Sequence, residues 1–457
     1  MKLKASIAAC LALASIASAS GITLYEDIQT KQIFTEPGEN RQKLGSFIQE
    51  NNVAELMGKE VKGIPVTSKA KKLEFSGTHY LGFTSANPRV QDGTNNNSQG
   101  FEFRRNYVQV KAYLNDKDYL RVTMDATKEL ASAADSSFNN SKGTYSYTPS
   151  SQNSGYADVF IKYAYLWLDS VPFLPNTGAE IGVVHRPWID YEEHNGWYYR
   201  SFNKVALEHK GTATEAGPDL VNSADLGINL KSKFDYFTSE IGIFNGEGYH
   251  ADKGGANQND SNGMSYEWRL TGHLLGDGKK VGKYDVTKDQ YAHISTYGLA
   301  SFDHKAETSN FGATDKYDRK YWGIHGVYNH PYGLIAGQYF ASNDDYKNDG
   351  SKKVDIKGWS INGEIRPVKD WTIIGRYDAH VKDATDNTGK EYTKTEDVKQ
   401  IIYGVAYKAS KNVTYIASGK NIKDKGQTAA ATRVDNCAAA ETCVDKNVYM
   451  LTAEVKW

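Results

Sequence analysis

Long apolar runs, cysteine and methionine are scarce in this chain, and neither sign of charge is in excess. The 457 residues include three cysteines and five methionines, with 54 Lys and Arg against 55 Asp and Glu. No stretch reaches the roughly 18 apolar residues of a membrane-spanning helix. The chain also lacks the excess of basic residues that would indicate nucleic-acid binding. The mean hydropathy of -0.60 is that of a polar chain. A transmembrane barrel, whose strands turn only every second residue to lipid, is as polar on average as a soluble protein. Hydropathy therefore does not separate soluble proteins from transmembrane barrels.

The beginning of the chain predicts an export signal. Lys2 and Lys4 precede a run of small and apolar residues over 5–16, and Ala17-Ser18-Ala19 is a cleavage triplet. We therefore expect a signal peptide over 1–19.

Removal of that signal takes away Cys10 and leaves Cys437 and Cys443, an even pair that suits an oxidising compartment. A disulfide between them would close a small ring and contribute roughly 2 kcal/mol. A metal site with two cysteine ligands is the alternative, although no histidine lies nearby in the sequence. Residues 7–10 also resemble a lipoprotein motif, but the apolar run before Cys10 is short for such a signal.

The last residues, Tyr449 to Trp457, alternate apolar and polar side chains and end on a tryptophan. Soluble domains seldom end on a half-apolar strand with a large terminal aromatic. Outer-membrane barrels commonly do, because the last strand pairs with the first and leaves no open edge.

The same alternation recurs along the chain and predicts an all-β, transmembrane antiparallel β-barrel of about sixteen strands over 71–457. Short turns and long polar loops alternate between the strands, which is the expected topology when both termini lie on the short-turn side. Fourteen or eighteen strands remain open, as does a secreted two-sheet sandwich or a propeller. The predicted strands are 73–83, 101–114, 119–126, 157–168, 178–186, 222–231, 234–244, 264–274, 288–303, 318–330, 332–342, 353–366, 371–381, 397–408, 413–421 and 446–457.

Aromatic residues near strand ends favour the membrane barrel over a soluble sandwich. Such residues suit the two interfacial girdles of a bilayer. We expect the following to face lipid: Tyr163, Trp167, Tyr236, Tyr266, Trp268, Trp322, Trp359, Trp371 and Tyr449.

Residues 20–70 do not share the barrel pattern and are expected to form an N-terminal periplasmic extension. Segments 21–25 and 32–35 could form a small hairpin, followed by a short helix around 47–57. An extended tail and a folded plug or docking element are both compatible with this composition.

The segment 185–210 is rich in aromatic and charged residues and forms the third long loop of the predicted barrel. A sixteen-stranded barrel has an open lumen unless a loop folds inward to narrow it. Pro187 ends the preceding strand because proline cannot donate to the sheet. We expect Arg186, Arg200 and Lys204 to present positive charge to permeating anions at this constriction. An ordinary charged surface loop is the alternative.

Three motifs between residues 101 and 188 resemble those of the phosphate-selective porin O/P family. They are Phe101-Glu102-Phe103-Arg104-Arg105 at the start of a strand, a hairpin with Asn115-Asp116-Lys117-Asp118 at its tip, and Gly182-Val183-Val184-His185-Arg186-Pro187-Trp188 at a strand end. The resemblance extends over 75–457 and is specific around 101–190. It implies a sixteen-stranded outer-membrane channel with an inward third loop and a trimeric assembly.

The predicted lumen is mixed in charge, so phosphate specificity is not carried over from that family. The inward phase presents Arg105, Lys111, Arg121, Lys162, Arg186, Arg269 and Arg376. It equally presents Asp125, Asp158, Glu180, Glu267, Glu364 and Asp378. Such a field is typical of a general porin for small hydrophilic solutes and ions, including anions.

Enzyme signatures are lacking: the sequence has no G-x-S-x-G, H-E-x-x-H or P-loop motif. We expect no catalysis, metal or cofactor, and partners limited to outer-membrane lipid, small solutes and further copies of the chain. A structural barrel that sheaths a partner, and a hydrolase with its site at the barrel rim, are the alternatives.

Overall fold

The computed structural model describes residues 22–47, 69–90, 98–127, 136–139, 144–147, 158–208, 216–246, 248, 263–280, 283–305, 316–346, 353–385, 391–425 and 443–457. The chain divides into two compact units, 1–69 and 70–457. The expected signal peptide, nearly all of the helix expected around 47–57, and Cys437 lie outside the described residues. Within the described ranges, no helix is long and apolar enough to cross a membrane.

The first unit contains a small antiparallel sheet. Its strands are β1 (Ile22–Asp27), β2 (Ile33–Phe34) and β3 (Arg41–Phe47), in the order β2-β1-β3. The pairing of Tyr25 with Phe34 forms the hairpin expected from the sequence. The third strand carries lysine and glycine between its apolar residues, so alternation does not predict it.

The second unit is a closed antiparallel barrel of sixteen strands, which confirms the expected fold. Its first half comprises β4 (Lys72–Val90), β5 (Ser98–Tyr113), β6 (Tyr119–Thr127), β9 (Asp158–Leu168), β10 (Thr177–His185), β11 (Ala224–Lys233), β12 (Phe237–Phe244) and β13 (Ser265–Leu275). Its second half comprises β14 (Tyr291–Lys305), β15 (Lys316–His330), β16 (Gly333–Tyr346), β17 (Lys353–Val368), β18 (Trp371–Thr385), β19 (Glu391–Lys408), β20 (Val413–Lys425) and β21 (Cys443–Lys456). Strands β7 (Ser136–Asn139) and β8 (Thr144–Tyr147) form a separate hairpin in the connection between β6 and β9.

Neighbouring strands follow the chain order, and β21 pairs with β4 to close the barrel. The connections alternate between short turns at one end of the barrel and mostly longer loops at the other. We call these ends the short-turn side and the long-loop side. Both ends of the barrel chain, Lys72 and Lys456, lie on the short-turn side, as the sequence predicts.

The strands turn apolar side chains outward and polar ones into the lumen. In β17, for example, exposed and covered residues alternate along almost the whole strand. Large outward residues such as Trp322, Trp359 and Tyr449 are about half exposed and form the surface that faces lipid. This outer apolar surface is the one a transmembrane barrel requires.

Strand β9 contradicts the expected outward position of Tyr163. Thr123 of β6 pairs with Tyr163 and the next residue, Met124, pairs with Ile161, so that Lys162 is the extra residue of a β-bulge. A bulge exchanges the faces of all residues beyond it. Ile161 is 54% exposed, whereas Tyr163 is 7% exposed. The prediction of a lipid-facing Tyr163 is therefore wrong, and Trp167 likewise lies on the lumen side.

The terminal tryptophan covers the seam between β21 and β4. Its indole nitrogen donates a hydrogen bond to Nε2 of His79 at 2.8 Å, and the two rings stack with centroids 6.3 Å apart. The backbone groups of Trp457 and Gly77 exchange two hydrogen bonds. A Cβ atom at Gly77 would lie 2.5 Å from the Trp457 ring. Glycine at this position thus permits the ring to lie flat over the first strand.

We predict that Gly77→Ala destabilises the barrel by about 1 to 3 kcal/mol, because the new methyl group displaces the Trp457 ring from the seam. The measurement is the temperature at which the folded, heat-modifiable form is lost on a gel. Gly326→Ala is the matched control, since no atom lies within 4 Å of the Cβ it would add. Equal unfolding temperatures for the two variants would contradict the prediction.

Candidate functional site

The connection between β10 and β11 folds back into the barrel and begins with a short helix. Helix α1 (Pro187–Asn195) has proline in its first turn, where a missing N–H costs no hydrogen bond. The N–H of Gly196 closes its last turn by donating to the carbonyl of Glu192. Trp188 and Tyr191 are among the helix residues that are buried.

Apolar side chains pack this inward loop against the opposite wall of the barrel. The Trp188 ring stacks on that of Tyr297 in β14, with centroids 3.6 Å apart and planes 11° apart. Trp197, Phe202 and Leu207 are almost fully buried in the same cluster. The cluster continues onto wall residues of β15 to β21: Tyr321, Phe340, Val354, Ile356, Ile374, Ile402, Ala406, Ile416, Val448 and Met450. The loop therefore has a hydrophobic core of its own inside the lumen.

Polar residues of the same wall satisfy the loop's backbone and side-chain groups. Such contacts matter because an unpaired polar group in this core would cost more than a typical hydrogen bond contributes. The donor and acceptor pairs are Gln338 to Glu192 (2.6 Å), Asn362 to the carbonyl of Gly196 (2.8 Å), Arg376 to the carbonyl of Lys204 (2.8 Å), Arg319 to the carbonyl of Leu220 (3.2 Å) and Gln400 to the carbonyl of Ala216 (3.3 Å).

Arg186 fastens the start of the loop to the barrel wall. Its guanidinium lies 2.9 Å from Asp225 of β11 and also contacts Glu267 of β13, and the residue is 2% exposed. Two carboxylates surround this one cation. The positive charge of Arg186 is thus used in a buried ion pair and does not line the open part of the lumen.

An open cavity of about 1930 Å³ remains beside the loop. Residues of β4 to β6 and of β9 to β13 line it, together with α1 and the residues that follow it up to Arg200. Turns of the short-turn side, including 330–332 and 408–414, surround its mouth. The inward loop therefore occupies the β14 to β21 side, and the open space lies beside it, off the barrel axis.

The cavity wall carries more positive than negative charge. Fourteen Lys and Arg residues line it, against nine Asp and Glu residues, which is an excess of five positive charges. An excess of this size raises the local concentration of anions over that of cations. The lumen is mixed in charge, as expected from the sequence, but on this side of the loop its wall carries more positive than negative side chains.

Arg200 forms a compact ion cluster at the loop surface. Its guanidinium donates to both carboxylate oxygens of Glu208, at 2.5 and 2.6 Å, and also contacts Glu193. Burial would raise the pKa of Glu208, but Arg200 and Lys204 outweigh it and lower that pKa to about 2. Glu208 is therefore ionised at neutral pH.

The other predicted constriction residues fall into two groups. Arg121 and Arg269, like Arg200, line the cavity. Arg105 lies 3.6 Å from Asp125, Arg376 lies over the Trp197 ring, and Lys111 contacts Glu74. The backbone carbonyl of Lys204 accepts a hydrogen bond from Arg376 and so helps to hold the inward loop against the barrel wall.

Lys231 is a cavity residue that the charge pattern alone does not single out. Its amine lies within 3.4 Å of three carboxylates, those of Glu180, Asp190 and Glu240. The sequence feature that could have identified Lys231 is the alternation along β11, which places Asn229 and Lys231 on the same, lumen-facing side of the strand. Cys443 belongs to β21, but its side chain lies outside the described part, so the disulfide stays a prediction.

Comparisons with known proteins give structural likeness without sequence likeness. No family model and no curated protein matches the chain. OmpT of Vibrio cholerae, in a form lacking loop L8, is 14% identical, with a TM-score of 0.51 over 84% of this chain and 99% of that one. An anion-selective porin from Comamonas acidovorans is 10% identical, with a TM-score of 0.50 over 84% of this chain and 100% of that one. OprB of Pseudomonas putida is 9% identical, with a TM-score of 0.52 over 88% of this chain and 96% of that one.

The chain has the fold of bacterial outer-membrane porins. At these identities the likeness concerns the fold alone, and the resemblance to the phosphate-selective porin O/P family stays a prediction.

We predict that Trp188→Ala loosens the inward loop and gives a larger, fluctuating single-channel conductance. Loss of the buried ring leaves a void beside Tyr297 and should cost about 3 to 5 kcal/mol of docking stability. The measurement is single-channel recording in a planar bilayer. Trp322→Ala, which removes an indole from the outer surface, is the control and should leave conductance unchanged. A wild-type conductance in Trp188→Ala would contradict the role of this contact.

We predict that the loop is held less firmly as the pH rises, because Glu192 is buried. Burial raises the pKa of Glu192 from its usual 4.5 to about 7, against the opposing effect of Arg376, with Asp378 adding to the rise. A carboxyl whose pKa is raised by folding contributes most below 4.5, and that contribution is lost as the pH rises to about 7.

The expected result is open-channel noise that increases as the pH rises towards about 7. Glu192→Gln keeps a group that can bond Gln338 and carries no charge, so its noise should not vary over this range. A wild-type channel with pH-independent noise, or a variant with the same pH response as the wild type, would be evidence against the assignment to Glu192.

Proposed function

We propose that the protein is an outer-membrane porin that lets small hydrophilic solutes and ions diffuse passively, with a preference for anions. The observation that carries this proposal is the off-axis cavity of about 1930 Å³, which polar and charged side chains line inside a closed barrel. A barrel in which a docked loop leaves an open lumen lined by polar residues is suited to selecting solutes by size and charge.

The anion preference rests on the excess of five positive charges along the cavity. Several of these cations, such as Lys408 at the end of β19 and Lys411 in the turn after it, lie at the mouth, where they attract anions before entry. Others, such as Arg121 and Arg269, lie deeper. This charge distribution requires no phosphate-specific ladder, so the proposal is a general anion-preferring channel.

The proposal includes export and assembly. Residues 1–19 direct export and are removed, 20–70 form a periplasmic extension, and the barrel inserts into the outer membrane. A trimer is favoured by the porin fold, and one similar structure, OmpT of Vibrio cholerae, is described as a trimer form. No catalysed reaction, metal or cofactor forms part of this function.

The test is a planar-bilayer recording of the purified protein in a salt gradient. We predict stepwise, ohmic conductance and a reversal potential that indicates anion preference. Arg200→Ala should lower the anion-to-cation permeability ratio roughly two- to fivefold, since a unit charge within about 4 Å in water is worth about 1 kcal/mol.

Glu193→Gln is the matched control for Arg200→Ala. It removes a negative charge from the same ion cluster and should shift the reversal potential in the opposite direction. Membranes that remain silent would contradict the channel itself. Conducting channels with cation preference in the wild type would contradict the proposed selectivity alone.

A further inference from the structure

A band of aromatic side chains runs along the open side of the cavity. We call it the aromatic wall, and it belongs to the neighbouring strands β4, β5, β6 and β9. Aromatic rings expose apolar faces that water solvates poorly, so a passage for inorganic ions alone has no use for them. Its members, all of which line the cavity, are the partly exposed Tyr107, Tyr119 and Trp167 and the buried Tyr80, Tyr163 and Tyr165.

Neighbouring rings of the aromatic wall meet at varied angles. Tyr80 and Tyr107 are 6.2 Å apart and nearly perpendicular, at 81°. Tyr119 stacks near Trp167, with centroids 6.3 Å apart and an angle of 27°. A planar aromatic guest can therefore meet both ring faces and ring edges, and both geometries are favourable for aromatic pairs.

Two cations lie within this wall: Lys162, whose amine donates to the hydroxyl of Tyr107 at 2.9 Å, and Arg121, which faces neutral partners. Its guanidinium lies 4.7 Å from the ring centre of Tyr163 and 5.6 Å from that of Tyr165. It donates to the hydroxyls of Tyr165 and Thr123, at 3.0 and 3.1 Å. Within the described ranges, no carboxylate lies close enough to form an ion pair with it. Arg121 thus keeps its full positive charge available to a solute in the cavity.

His185 and Glu180 set the position of Arg121. The guanidinium can only donate, so Nε2 of His185, 3.1 Å away, accepts from it. Nδ1 of the same ring then carries the proton and donates to Glu180 at 2.9 Å. This relay through a neutral histidine orients the arginine without neutralising it.

We propose that the aromatic wall and Arg121 form a binding track for aromatic carboxylates of the benzoate type. The solute's ring stacks against Tyr119 and its neighbours, while its carboxylate is held by Arg121. This proposal rests on the channel function proposed above and names one class of solute that the channel prefers.

Both halves of the site point to this solute class. A planar guanidinium binds a carboxylate through parallel hydrogen bonds, which fixes the orientation of a flat guest. Inorganic anions would use the arginine and leave the rings unused. Neutral aromatic compounds would use the rings and leave the charge of Arg121 without a counter-charge.

The experiment measures how added solutes reduce the single-channel current carried by chloride. Benzoate is compared with cyclohexanecarboxylate, which has the same charge and a saturated ring, and with acetate, which has no ring. Glucose 6-phosphate tests a sugar phosphate in place of an aromatic acid. We expect benzoate to block at a concentration several-fold lower than any of the other three.

Two variants separate the contributions of charge and ring. Arg121→Gln should raise the half-blocking concentration of benzoate roughly tenfold, the equivalent of one charge-assisted contact. Tyr119→Leu should raise it by roughly fivefold while leaving block by acetate unchanged. Lys279→Gln is the control, because this exposed lysine pairs with Asp235 outside the cavity and its loss should not alter block.

The outcomes distinguish this proposal from the channel function. Equal block by benzoate, cyclohexanecarboxylate and acetate would overturn the aromatic track while ohmic chloride conductance still supported the channel. Stronger block by glucose 6-phosphate than by benzoate would also overturn it. Loss of chloride conductance in every preparation, including the wild type, would overturn both. Conductance of each variant in chloride alone reports that its barrel is intact.

Discussion

Inside a bilayer the peptide groups of a strand have no water to bind, so each must pair within the protein. The pairing of β21 with β4 meets this requirement by removing both sheet edges. Sixteen strands enclose a lumen too wide for their own side chains to fill. The space left open inside the barrel is therefore set by the connection that folds back into it.

That connection is docked against one side of the barrel by an apolar core and by polar contacts from β14 to β19. Trp188 and Trp197 supply the largest buried surfaces, and Arg186 secures the end that joins β10. The consequence is an off-axis passage. The wall left open by the loop carries Arg121 and a band of tyrosines, so the side on which the loop docks determines which side chains line the open cavity.

Much of this architecture can be predicted from the sequence, because lipid on one face and water on the other impose strict alternation. All sixteen strands and the inward third loop follow from that pattern and from the aromatic segment 185–210. The inward position of Tyr163 could not be predicted, because the bulge at Lys162 leaves no mark in the alternation. The buried role of Arg186 depends on Asp225 and Glu267, which are distant in sequence and adjacent only across folded strands.

The central claim is that the loop covers the β14 to β21 side and leaves the side formed by β4 to β6 and β9 to β13 open. The most direct test is reaction of single cysteines with a charged thiol reagent during recording, in a chain whose native cysteines are replaced by serine. One variant is Gln109→Cys, since Gln109 lines the open cavity. The other is Ser360→Cys, since Ser360 is buried on β17 close to Asn362, which donates a hydrogen bond to the loop. The account predicts that the reagent reduces current through the Gln109→Cys channel and leaves the Ser360→Cys channel unaffected. Equal reaction at both positions, or reaction at Ser360→Cys alone, would contradict it.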